Sequence, residues 1–383
     1  MNPLHIRVVA AAIALLGVPV LAPAQSAAPF RVSALPFLSI GAEDKGPAYQ
    51  LDRVFGAVRL PDGRIAIGNT STSELRLYDA GGRFLTSASR RGAGPGEFDA
   101  TESIVPRVFG ASLLANDLSH ARVNRYDFAG KVMPQITLKS IPGAVQSIIQ
   151  ATAGSSLVAS VTASPILQGA AGQRLVTRYR YAVYDSTGMQ RAALFELPSR
   201  ERIVHTFNGS TRFPYIPFSP APIVAASADK VYLIRGSAPV IEVWSLAGKR
   251  TGTITWKAQQ TAVRDVWARW RQAELDAETR QTSKLFYEDF FSDRLPRPEY
   301  VPVAEAMHVD PAGRLWIVRE RLRWEPARRC DVLDAAGRFL GSVVLPPNFS
   351  LFQVGADFVL GRARDADDVE QVQLYRLTAV GTP

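Results

Sequence analysis

Apolar and polar residues alternate along this chain in short runs, and the runs come in sets. From Leu60 to Ile67 an Asp62-Gly63 turn leads into an alternating segment at Ile65. From Leu75 to Leu85 an alternating segment through Tyr78 reaches the Ala80-Gly81-Gly82 turn, and a new apolar run starts at Phe84. A period of two marks half-buried strands, and short glycine turns between such strands mark antiparallel hairpins. These segments read as strands B, C and D of a four-stranded meander.

The same set recurs. Strand B aligns on Ile65, Leu113, Leu157, Val231, Leu315 and Phe358, and strand C on Tyr78, Tyr126, Tyr184, Trp244, Leu333 and Tyr375. Turns follow strand C at Ala80–Gly82, Ala129-Gly130, Ser186–Gly188, Ala247-Gly248 and Ala335–Gly337. The step from B to C is 13 residues in units one, two and four, 18 in unit five and 17 in unit six. It stretches to 27 in unit three, which places an insertion near Ala163 to Arg174. A lone unit leaves two sheet faces exposed, and stacking units around an axis buries both. A period of roughly 40–60 residues fits propeller blades and not β-helix coils or leucine-rich repeats. The competing readings, a β-sandwich or two smaller β domains, lack a separating linker. The expected fold is therefore all-β: a single six-bladed β-propeller over 25–383. Few residues follow Tyr375, so the last blade lacks its outer strand; the N-terminal strand Phe30 to Leu38 is expected to supply it and remove the open edge.

One helical insertion interrupts the ring after blade four, at about 258–300. Within Thr261 to Gln281, Val263, Trp267, Trp270, Ala273 and Ala277 form an apolar stripe at helical spacing. Leu285 to Phe291 and Leu295 to Pro298 read as loop. The helix is expected to pack on its own propeller; a lid or a partner-docking element is the alternative.

Composition narrows the setting. Val8 to Leu21 is almost wholly apolar, Arg7 precedes it, and Ala22-Pro23-Ala24 follows. This is the pattern of a signal peptide over 1–24, too short to span a bilayer, with cleavage before Gln25. No cysteine follows it, which argues against lipoprotein processing, and no later stretch is apolar enough to span a membrane. The mature chain is expected outside the cytoplasm, periplasmic or extracellular, and monomeric. Cys330 is the only cysteine, so no internal disulfide can form; its setting in an apolar strand predicts a buried structural thiol. The formal charge is +9, or +8 without Arg7, from 37 Arg and 7 Lys against 35 acids. Such a surface favours acidic partners, but no clustered basic run of the nucleic-acid type is present.

Arg91-Gly92-Ala93-Gly94-Pro95-Gly96-Glu97-Phe98 resembles the segment that joins blades in NHL-type propellers. The Asp62 to Ile65 turn and Ala312 to Ile317 fit the same pattern. Val359 to Asp365 and Val372 to Leu377 resemble the closing blade of bacterial exported six-bladed propellers of NHL-like and TolB-like kind. The resemblance covers most of the chain after about Ile40. It implies the fold and leaves the function open, because such families include protein-binding scaffolds and related propellers include lactonases and lyases. The glycines of this segment lack the Gly-Lys-Ser/Thr ending of a phosphate loop and read as a tight inter-blade turn.

Four residues beyond each strand-B anchor the chain reaches one equivalent spot: Asn69, Asp117, Val161, Arg235, Arg319 and Arg362. Three arginines fall on consecutive blades, with His120, Glu320 and Arg364 nearby. Arginine forks recognise carboxylate, sulfate or phosphate, so Arg235, Arg319 and Arg362, with Asn69, Asp117 and His120, form a candidate anion-binding rim. The bland alternative is solvated arginines paired with nearby acids. The mature chain has three histidines, His120, His205 and His308, with no local metal spacing. His308 is expected on or near strand A of blade five, facing the channel, and is the weak candidate for a metal. No Gly-x-Ser-x-Gly nucleophile motif occurs. The expected function is a non-catalytic exported binding or scaffold protein, without cofactor, whose propeller face holds a partner protein, a peptide or an anionic ligand. The alternative is a channel-site enzyme of lactonase or lyase type, possibly metal-dependent.

Overall fold

A computed structural model describes residues 30–41, 46–99, 103–120, 122–139, 146–162, 168–365 and 367–380. The expected signal peptide and its cleavage point lie outside the described residues, as do 163–167 of the blade-three insertion.

Six antiparallel sheets form the ring. Their innermost strands A are Val54–Arg59, Arg107–Phe109, Gln146–Ala153, Ile223–Ala226, Ala306–Val309 and Ser350–Val354. Each lies against the next, and the sixth returns to the first. Strands B and C pair with the expected anchors opposite one another in five blades: Ile65 with Tyr78, Leu113 with Tyr126, Leu157 with Tyr184, Val231 with Trp244, and Leu315 with Leu333. In blade six the register is one residue off, and Tyr375 faces Val359 while Phe358 faces Arg376. Most of these anchors are fully buried and fill the layers between blades.

Four of the five glycine turns after strand C share one chemistry, and in blade four Ser245 takes the aspartate's place. Asp79 Oδ1 accepts from the N–H groups of Gly81 and Arg83, and Gly82 N–H donates back to the Asp79 carbonyl. Asp127, Asp185 and Asp334 repeat this arrangement after their own strands C, and Asp310 repeats it between strands A and B of blade five. The aspartate mimics a backbone acceptor and the glycine takes the left-handed conformation at no steric penalty. Gly82, for example, has φ +83°.

Ring closure is made by the N-terminal strand in two pieces. Leu38–Ile40 and Phe30–Val32 both pair with Glu370–Ala379, strand C of blade six, and Ser33 to Phe37 bulge between them. Phe30 is buried, with its ring 5.3 Å from that of Trp316 in blade five and the Arg314 guanidinium 4.5 Å from its centre. The Gly-rich joint is an inter-blade turn. Glu97 caps Gly94 N–H, and the next blade holds the loop through Asn124, Tyr126 and Arg122.

Three departures from the repeat lie at one end of the ring, where strands D lead into A and B into C. Arg174-Leu175, from the blade-three insertion, pairs with Arg202-Ile203. A hairpin of His205–Phe207 and Ser210–Arg212 follows in the passage to blade four. After blade four come two helices, α1 (Val263–Ala277) and α2 (Gln281–Phe290). Helix α1 is where the apolar stripe places it. Helix α2 corrects the loop expected at Leu285 to Phe291. Its one-turn pair Phe286 and Phe290 is buried against α1 and the hairpin, and this packing stabilises a helix of only ten residues. Phe207, Phe218, Trp267, Trp270 and Leu322 join them in a satellite core, a cap distinct from the blade cores. No helix among the described residues is long and apolar enough to cross a membrane. Cys330 is fully buried, and burial pushes its thiol well above the ordinary range.

Candidate functional site

The six strands A wall a central channel. Its middle holds a cavity of about 250 Å³ lined by residues of every blade. Most are small or apolar, as the crowded axis requires. Two are not. Arg107 opens strand A of blade two, and His308 lies in strand A of blade five, three blades away around the ring. The Arg107 side chain forms no ion pair among the described residues, and its Nε is fully buried without a hydrogen-bond partner. His308 Nε2 is buried and unpartnered in the same way. Burial pushes the guanidinium down to about 10. Burial, reinforced by the Arg107 charge, pushes the imidazole down to about 4, so His308 is neutral at pH 7. The remaining polar groups of the cavity are neutral, Gln150, Thr152 and Gln353, and both amides are engaged: Gln150 with Ser160 Oγ, Gln353 with the Arg59 backbone. A further cavity of about 590 Å³ shares Val108 and Gln353 and continues the channel to the mouth formed by the A–B turns.

The rim residues lie at the B–C hairpins, and each is held by partners in its own hairpin or in the segment beside it. Arg235 forks onto Glu242. Arg319 binds Asp331, which is fully buried and also accepts from Trp256 and Ser342. Arg362 binds Glu370 and the Val54 carbonyl of blade one. Blade two has the opposite polarity, with the buried Asp117 taken by Arg122 and His120. Asn69 accepts from Asp52 N–H and donates to Thr72. Because blade six is shifted by one residue, Ala363 rather than Arg362 is its structural equivalent of the other five.

A second concavity lies beneath the cap. Cavities of about 320 and 330 Å³ meet at Pro302 and Glu320. Trp270 of α1 and Phe218 give it an aromatic wall, with ring centres 4.9 Å apart. Glu305, Glu320 and Arg200 supply the charge of the 330 Å³ part, and Arg319, Arg321, Glu325, Arg328 and Arg329 line the other beside Glu320. Arg328 binds Glu305 at 2.7 Å. Burial, then the Glu305 carboxylate, push Glu320 up to about 7.

The three histidines do not assemble. His308 faces the channel, His120 belongs to a blade-two hairpin, and His205 lies 3.0 Å from Asp289 in the cap. Among the described residues no three His, Cys, Asp or Glu side chains converge as metal ligands would. Sequence reasoning missed Arg107. Its strand is only three residues long, and the alignment rested on strands B and C. An arginine placed directly before the apolar pair Val108-Phe109, six residues before the strand-B anchor Leu113, was the available signal.

No family model matches the chain, and no match emerges among curated proteins. Solved structures of similar course include a member of the DUF4221 family from Bacteroides vulgatus, with 9% identity, 92% of this chain and 99% of that one covered, and a TM-score of 0.49. An exported protein from Bacteroides fragilis has 12% identity, covers 92% and 96%, and scores 0.48. The PQQ-bound aldose sugar dehydrogenase of Streptomyces coelicolor has 12% identity, covers 92% and 99%, and scores 0.46.

Proposed function

We propose that this chain is an exported, non-catalytic binding propeller that takes a small anionic group into its central channel on Arg107. The observation that carries this reading is the unpaired guanidinium in the channel wall. A half-buried cation without a counter-charge is costly, and an anion that enters the channel supplies the missing partner. His308 is the second donor; an arriving negative charge favours its protonated form. The cavity of about 250 Å³ suits a carboxylate, sulfate or phosphate on a small molecule. The rim residues Asn69, Asp117, His120, Arg235, Arg319 and Arg362 serve on this reading to close the B–C hairpins at the other end of the ring, since each has its partner already.

Titration calorimetry with inorganic phosphate, sulfate and succinate tests this. At least one should bind the wild-type protein, and Arg107→Met should abolish the heat. Equal binding by wild type and Arg107→Met refutes the proposal, and so does silence of all three up to ~10 mM, where even affinities of a few kcal/mol register. The second reading, a channel enzyme of lactonase or lyase type, is favoured only by the channel-facing His308. Elemental analysis of the purified protein decides it: a stoichiometric divalent ion lost in His308→Gln supports the enzyme.

A further inference from the structure

The cleft beneath the cap is independent of the channel. Its part beside Trp270 holds one acid and one base that form no ion pair among the described residues. Glu320 has no ion pair or hydrogen bond to its carboxyl among the described residues, whereas its neighbour Glu305 is bound by Arg328. The Arg200 guanidinium sits over the Tyr215 ring at 5.2 Å and has no carboxylate within 4.0 Å among the described residues. Both groups line the same cavity of about 330 Å³, and Glu320 feels the Arg200 charge across it. They are close enough to interact and too far apart to satisfy each other.

That spacing selects against simple ions. A lone cation entering the cavity is repelled by Arg200, and a lone anion is repelled by the Glu305 and Glu320 carboxylates. A molecule carrying both charges satisfies both walls. The third wall is aromatic, Trp270 and Phe218, and offers a face for an apolar ring. We propose that the cleft binds a free α-amino acid with an aromatic side chain, its ammonium group on Glu320, its carboxylate on Arg200 and its ring against Trp270 and Phe218.

The acid must be ionised to hold an ammonium group. The charged groups facing Glu320 are Glu305 and Arg328 of blade five, Glu325 of its B–C loop and Arg200. Glu305 and Glu325 raise it, and the two arginines lower it. With Glu320 titrating at about 7, binding strengthens from pH 6 to pH 8.

Calorimetry with L-phenylalanine, phenethylamine and 3-phenylpropionate on the full mature protein tests the proposal. Phenylalanine should bind at pH 8 and more weakly at pH 6. Removing either charge from the ligand should weaken binding by about tenfold or more, as expected for one charge-assisted contact. Glu320→Gln and Arg200→Gln should each reproduce that loss, and Arg107→Met should change nothing here. Phenethylamine binding as tightly as phenylalanine overturns the proposal, as does a Glu320→Gln protein of unchanged affinity or no heat from phenylalanine at ~10 mM. The ligand comparison needs only wild-type protein, so the test stands even if a variant fails to fold.

Discussion

Replacing Arg107 with Met should make the empty protein more stable while removing its anion binding. The guanidinium is pushed to about 10 by burial, and no carboxylate among the described residues offsets the loss of water. At roughly 1.4 kcal/mol per pH unit, a depression of this size corresponds to an upper limit of about 3 kcal/mol against the charged form. The side chain is only partly covered and lines a channel, so water reduces the figure to about 1 kcal/mol. Methionine keeps much of the stem and its contacts with the neighbouring strands. Urea unfolding at pH 7 should therefore show Arg107→Met more stable by about 1 kcal/mol. Saturating anion should invert the order. A ligand at a hundred times its dissociation constant stabilises the wild type by about 2.7 kcal/mol and leaves the variant untouched. The reasoning is refuted if Arg107→Met is less stable than wild type by about 1 kcal/mol or more, since the arginine would then be a structural element with its needs met.

Phe30→Ala should cost about 3 kcal/mol, because it empties a buried site between Trp316 and Arg314 and loosens ring closure; a loss under about 1 kcal/mol in urea unfolding would mean the ring closes without it. For His308 the folded value of about 4 lies below the unfolded 6.5, so the native state binds fewer protons in that window. Stability should rise with pH from 4 to 6.5 and be lost as pH falls; unfolding midpoints across this range should flatten in His308→Gln. Arg235→Ala removes a half-exposed arginine from Glu242, which keeps the Trp244 donor, and should cost under ~1 kcal/mol without altering anion affinity, whereas Arg319→Ala leaves the fully buried Asp331 short of its cation and should cost about 3 kcal/mol. Equal losses for the two arginines would contradict that contrast.

The ring was legible because each blade repeats the same local chemistry. Ile65 opposite Tyr78, or Leu113 opposite Tyr126, can be aligned by spacing alone, since both blades run 13 residues from one anchor to the other. The N-terminal closing strand was legible too, because a blade that ends at strand C leaves one open edge. Blade six escaped by one residue, since its B–C connection has a different length and nothing local pins Phe358 rather than Val359 opposite Tyr375. Helix α2 escaped because Phe286 and Phe290 gain their partners from α1 and from the hairpin at His205, far away in sequence. Propensity over ten residues carries too little information to foresee that packing.

The same contrast separates the rim from the two cavities. A residue at a repeated position has a repeated partner: Arg235 with Glu242, Arg319 with Asp331, Arg122 with Asp117. Spacing finds such residues easily, and the hairpin that makes them findable also occupies them. Arg107, His308 and Glu320 have no partner of this kind, because each meets its surroundings across the channel or beneath the cap, between segments that no single blade contains. Unsatisfied charge in a folded chain is retained only against a cost in stability. The groups that break the repeat are therefore the ones whose replacement should separate stability from binding, and Arg107 is the position where the two should move in opposite directions.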